Sequence, residues 1–82
     1  MYDTEAMKDE IRGVADAHIT PHGGLYHTTF NREGVLVTVT HQEWTHSHYT
    51  RLNGVPKEVQ GELLHCAVHY LSMAFLQHIH RA

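Results

Sequence analysis

The sequence predicts an α+β domain with an N-terminal helix, a two- or three-stranded antiparallel sheet, and a long C-terminal helix packed on one sheet face. Three observations lead to this prediction. Met7, Ile11 and Val14 recur at helical spacing near the start of the chain, and valines occupy every second position from Val35 to Val39, which is typical of a strand. Residues 63–76 then form an almost continuous apolar run. With 82 residues in all, the chain is expected to form a single domain, 1–82.

The N-terminal helix is expected to begin near Asp3 and Thr4, which are good N-cap residues, with Glu5 in its first turn. It should continue for about four turns. Residues 20–24 read Thr-Pro-His-Gly-Gly. They should end the helix, because proline cannot continue it and two glycines let the chain turn.

Two strands are predicted at Leu25–Phe30 and Val35–His41. The link between them, Asn31–Gly34, suits a type I turn with Gly34 in the left-handed region. One side of this pair would carry the valines together with Tyr26, Thr28 and Phe30, and that side would cover the long helix.

Residues 42–52 allow two interpretations, a third antiparallel strand or a loop. Two sets of side chains alternate there, and their aromatic and hydroxyl residues favour the strand. One set is Trp44, His46, His48 and Thr50, and the other is Thr45, Ser47, Tyr49 and Arg51.

The C-terminal helix is predicted from Pro56 to Arg81. Its polar residues fall in one narrow stripe, so the helix should be buried on most other sides. We expect Cys66 to be a small buried hydrophobic residue without a redox role. The stripe consists of Glu58, Glu62, His65, His69, Ser72 and His80. The helix would be about 39 Å long, whereas a compact domain of this size is only about 30 Å across. We therefore expect a homodimer formed through the C-terminal helix.

Charge and composition narrow the classes of function. The formal net charge is −3 with neutral histidines, so a nucleic-acid partner is not expected. The acidic N-terminal segment does not resemble a signal peptide, and the apolar part of the last helix is too short for a membrane span. We expect a cytoplasmic protein with no membrane contact.

Ten histidines raise the alternative of a transition-metal site, for example for zinc. His65 and His69 lie one helical turn apart, and His46 and His48 would point the same way on a strand. Solvated or hydrogen-bonded histidines are the favoured interpretation, so no cofactor is expected.

The sequence carries no motif of a known catalytic site, and we expect that the protein is not an enzyme. Aromatic residues and arginines near Trp44 give a second alternative, a nucleic-acid-binding accessory protein. Two arginines are few for this function, because binding to a nucleic-acid backbone normally uses several phosphate contacts. The favoured function is a small protein-binding module, an inhibitor or adaptor of a larger host complex. In size and type it is comparable with small phage and mobile-element proteins such as anti-CRISPR proteins. The candidate partner-binding residues are Arg32, Trp44, Tyr49 and Arg51.

Overall fold

The computed structural model describes residues 2–81 and contains the predicted α+β architecture, with all three strands present. The elements in chain order are α1 (Thr4–His18), a short 3-10 turn (Thr20–His22), β1 (Leu25–Phe30), β2 (Gly34–His41), β3 (Trp44–Arg51) and α2 (Lys57–Arg81). No helix within residues 2–81 is long and apolar enough to cross a membrane.

The sheet is antiparallel with the order β1-β2-β3, so β2 is central and the other two strands are edges. Val35 lies opposite Phe30 of β1 and opposite Thr50 of β3. Residues that lie directly opposite one another share a face of the sheet. The valines of β2 therefore share one face with alternate residues of both neighbours, as the alternation in the sequence predicts. We call this the inner face, because the helices pack on it.

The N-terminus of α1 is capped as the sequence predicts. The side chain of Asp3 accepts hydrogen bonds from the N–H groups of Glu5 and Ala6, at 3.1 and 3.2 Å. These bonds satisfy donors that have no partner inside the helix. The helix buries Met7, Ile11, Val14 and Ala15 against the rest of the core.

One hydrophobic core lies between the inner face of the sheet and the two helices. The three valines of β2 are almost completely buried, and α2 contributes Leu64, Val68, Leu71 and Phe75. The molecule measures 39 × 19 × 17 Å. At about 1.5 Å per residue, the 25 residues of α2 extend over nearly the whole long dimension.

The α2 helix begins at Lys57, one residue after Pro56, and two predictions about its faces are wrong. Ser72 is fully buried, although the sequence places it in the polar stripe. Its hydroxyl donates to the carbonyl oxygen of Val68 at 2.8 Å, so the burial leaves no unsatisfied donor. Cys66 is exposed, because only one side of α2 faces the core within this single chain.

Gly34 also differs from its prediction. Among the described residues, the glycines with positive φ are Gly23 and Gly54, so Gly34 is not left-handed. Instead, a side-chain Cβ at this position would overlap the backbone of Thr50. Glycine is needed here because β2 and β3 approach closely, not because of a turn.

Candidate interaction surfaces

An apolar stripe on α2 lies open to solvent. Val59, Leu63 and Tyr70 expose 43%, 42% and 56% of their surface, and Cys66 is exposed as well. Their spacing of four, three and four residues places them on one side of the helix. We call these four residues the α2 stripe.

The stripe forms one wall of a groove beside β3. The groove has a volume of about 440 Å³ and is lined by Leu63, Cys66, Ala67 and Tyr70 of α2 and by residues 48–51 of β3. A second hollow, of about 380 Å³, adjoins it at Leu63 and Cys66 and is also lined by Val55, Val59 and Glu62. A largely apolar surface therefore runs from the start of α2 past its middle.

The outer edge of β3 is open along its length. In an antiparallel pair, residues alternate between those that bond their neighbour strand and those whose N–H and C=O point the other way. The N–H of Leu52 donates to the carbonyl oxygen of Glu33 at 2.8 Å, so the even-numbered residues of β3 bond β2. The backbone groups of Thr45, Ser47, Tyr49 and Arg51 consequently point outward. Among residues 2–81 no other strand pairs with that side.

The two edges of the sheet differ in their surroundings. Beside β1, the α1 side chains Lys8 and Arg12 line a hollow with Tyr26 and Thr28, and the Lys8 ammonium lies 5.9 Å from the centre of the Phe30 ring. Lysine near an edge strand is a common means of preventing further strand pairing. Beside β3, the α2 stripe is apolar instead, and β3 itself contains no lysine or proline. The β3 edge is therefore the one suited to association.

Three of the four candidate partner-binding residues come together at the β1–β2 turn. Tyr49 donates its hydroxyl hydrogen to the side-chain oxygen of Asn31 at 3.2 Å. The Arg51 guanidinium lies 3.3 Å from the Glu33 carboxylate. Arg32 is exposed between Asn31 and Glu33 at the tip of this turn. We call Arg32, Tyr49 and Arg51 the hairpin surface.

Trp44 does not belong to this surface. It lies at the opposite end of β3, on the inner face opposite His41. Its ring stacks on His78, with centroids 4.7 Å apart, and packs near Phe75. The sequence distance between Trp44 and Arg51 is short, but an extended strand separates them by about 23 Å, at about 3.3 Å per residue.

The β1–β2 turn is held by several hydrogen bonds. The side-chain oxygen of Asn31 accepts from the N–H groups of Glu33 and Gly34, at 2.8 and 2.9 Å. The hydroxyl of Tyr2 donates to the carbonyl oxygens of Asn31 and Gly34. Burial raises the pKa of Tyr2, and the nearby Tyr49 hydroxyl raises it further. These bonds fix the backbone that presents Arg32.

The four histidines proposed as metal ligands lie on two different sides of α2. His65 and His69 face α1, where the His65 ring nitrogen is 3.3 Å from the Glu10 carboxylate and the His69 ring packs edge-on against His18. His46 and His48 lie near Tyr70 on the β3 side. Within residues 2–81 there is no group of three or more histidine, cysteine, aspartate or glutamate side chains that could hold a metal ion. The metal alternative remains a prediction, without a specific contact in its favour.

The residues that sequence reasoning missed are those of the α2 stripe. The sequence predicts that α2 is too long and apolar for the rest of the chain to cover, but it does not show which of its apolar residues stay exposed. Comparisons of the chain with protein-family models, with curated proteins and with solved structures found no match. The exposed surfaces of the chain are therefore the observations that bear on its function.

Proposed function

We propose that this protein is a non-enzymatic, homodimeric protein-binding module that acts as an inhibitor or adaptor. In this proposal the α2 stripe binds a second copy of the chain, and the hairpin surface binds a different protein. The observation that carries the proposal is the exposed α2 stripe. Contiguous exposed apolar side chains usually mark an interaction site, and covering them contributes about 25 cal/mol per Å².

The chemistry of the stripe suits a second copy. Valine, leucine, cysteine and tyrosine side chains complement one another without charge, so the same surface can serve both partners of a two-fold interface. The α2 helix also extends along the whole molecule, while α1 and the sheet cover only one side of it. A second α2 lying alongside would cover the other side.

The hairpin surface has the composition of a recognition site. Arginine and tyrosine are enriched among the residues that dominate binding energies between proteins. Tyr49 and Arg51 are partly ordered by their contacts with Asn31 and Glu33, which lowers the conformational entropy that binding would cost. A homodimer displays this surface twice, so a partner with two sites would gain avidity.

The homodimer is tested by light scattering and sedimentation of the wild-type chain and of Leu63→Glu. We expect the wild-type protein to have twice the chain mass of 9.4 kDa at micromolar concentration. Because Leu63 is exposed in the single chain, a glutamate there should leave the fold intact but place a charge in the interface. We therefore expect the variant to be a folded monomer.

The matched control is Ala6→Glu, which adds the same charge at an exposed position of α1. It should remain dimeric. A wild-type protein that stays monomeric at 100 µM, or a Leu63→Glu variant that dimerises as tightly as the control, would contradict the proposal.

A further inference from the structure

We propose that the second copy joins through β3, so that two β3 strands pair antiparallel across a two-fold axis and form a continuous six-stranded sheet. This inference rests on the proposed homodimer and specifies its geometry. It adds a backbone interface to the side-chain interface of the α2 stripe. The two helices would then lie side by side on the same face of the joined sheet.

The first support comes from the backbone groups of β3. The N–H and C=O groups of Thr45, Ser47, Tyr49 and Arg51 point outward from an edge to which no described strand is bonded. Such a row of groups is a template for another strand. In an antiparallel dimer these groups can bond to odd-numbered residues of the second copy.

The second support comes from the position of α2 relative to this edge. The Tyr70 ring lies 6.2 Å from the His46 ring and 5.6 Å from the His48 ring, both measured between centroids. Tyr70 therefore sits close to the middle of β3, where a two-fold axis would pass. Pairing of the strands would bring the two Tyr70 rings, and with them the two α2 stripes, toward the same axis. Strand pairing and helix packing are thus satisfied by one arrangement.

The alternation of faces limits the register. Residues directly opposite one another must lie on the same face, so an even-numbered residue of β3 can only oppose an even-numbered residue of its copy. Two registers then give the greatest overlap of the strand, one centred on Ser47 and one centred on His48. The first pairs residues 44–50 with their copies, and the second pairs residues 45–51.

Charge and side-chain pairing favour the register centred on Ser47. In that register Glu43 lies opposite the partner's Arg51, and Tyr49 lies opposite the partner's Thr45. Opposite charges and aromatic–β-branched pairs both stabilise cross-strand neighbours. In the register centred on His48, Glu43 would oppose the partner's Asn53 and the ion pair would be lost. We infer that Ser47 lies on the two-fold axis.

The test adds single cysteines to the wild-type chain, and peptide mass spectrometry of the oxidised dimer identifies which cysteines are joined, so that any bond through Cys66 is recognised. Ser47→Cys should form an intermolecular disulfide readily under mild oxidation, because opposed residues have Cα atoms about 5.5 Å apart, within the range a disulfide spans. Thr45→Cys and Tyr49→Cys should not cross-link alone, since each would be about 14 Å from its own copy, at about 3.4 Å per residue. The two variants should cross-link when they are mixed.

The outcomes distinguish the homodimer from a monomer and the register centred on Ser47 from the register centred on His48. If the wild-type chain is monomeric by light scattering, both the homodimer and its strand pairing are wrong. If the wild-type chain is dimeric but Ser47→Cys does not cross-link through position 47, the homodimer stands and the register centred on Ser47 is overturned. Cross-linking of mixed Ser47→Cys and Tyr49→Cys, with neither alone, would instead identify the register centred on His48.

Discussion

At the residue scale, two glycines of this chain should respond in opposite ways to the addition of a methyl group. A Cβ at Gly34 would overlap the backbone of Thr50, whereas a Cβ at Gly61 of α2 would meet nothing within 4 Å. We predict that Gly34→Ala lowers the free energy of unfolding by at least about 2 kcal/mol, because the neighbouring strand must move. Gly61→Ala should raise it by roughly 0.5–1 kcal/mol, since alanine favours a helix interior.

Urea denaturation at one fixed protein concentration measures both changes, because association also contributes to stability. The two variants serve as controls for each other, as both add a single methyl group. Equal effects at Gly34 and Gly61 would show that the close approach of β2 and β3 is not the reason for glycine at position 34.

The same residues show what sequence alone can and cannot predict. The N-cap at Asp3 is a local feature, since its bonds reach only two and three residues ahead, and the sequence predicts it correctly. The role of Gly34 depends on Thr50, which is distant in sequence. Periodicity also placed Ser72 in a solvent stripe, because it could not show that the hydroxyl bonds the carbonyl of Val68.

At the scale of elements, the order and type of all the helices and strands follow from periodicity and turn residues. The side-chain alternation of residues 44–51 was sufficient to favour a third strand, and the structure confirms it. The periodicity of a helix shows which residues are apolar, but not which of them contact the core. The stripe of Val59, Leu63, Cys66 and Tyr70 therefore required tertiary information.

The connection between β3 and α2 depends on one buried amide. Gln60 is 3% exposed, and its Nε2 donates to the carbonyl oxygens of Leu52 and Val55, at 3.3 and 3.0 Å. Gln60→Ala would leave both carbonyls without this donor, and we predict a loss of about 2 kcal/mol in the free energy of unfolding. Glu62→Ala, at an exposed position of the same helix turn, should change it by less than about 0.5 kcal/mol.

Chemical denaturation of the two variants at equal concentration checks this difference. Amide hydrogen exchange over residues 52–60 gives a second measurement, and we expect faster exchange in Gln60→Ala only. Two variants of equal stability would mean that the amide does not hold the start of α2.

At the scale of the whole molecule, the two proposed surfaces meet at Tyr49 and Arg51, which belong to the hairpin surface and also line the groove beside the α2 stripe. Arg32 and Leu63 each belong to one surface only, so substitutions there test the two surfaces separately. The hairpin surface surrounds the β1–β2 turn, whereas the α2 stripe faces the groove beside β3. A joined sheet would hold the two hairpin surfaces in a fixed relation. Binding of a partner should therefore depend on the hairpin residues directly and on dimer formation through avidity.

We predict that Arg32→Ala binds a partner protein at least about 30-fold more weakly than the wild-type chain, a loss of about 2 kcal/mol that is typical of an anchor residue. The control is Thr29→Ala, an exposed position on β1 outside the hairpin surface. Partners are recovered from a host extract on immobilised wild-type protein, purified, and titrated against each variant by calorimetry. Leu63→Glu should retain the affinity of a single hairpin surface while losing the gain from two. A partner that binds Arg32→Ala and the Thr29→Ala control equally well would place the recognition site elsewhere on the protein.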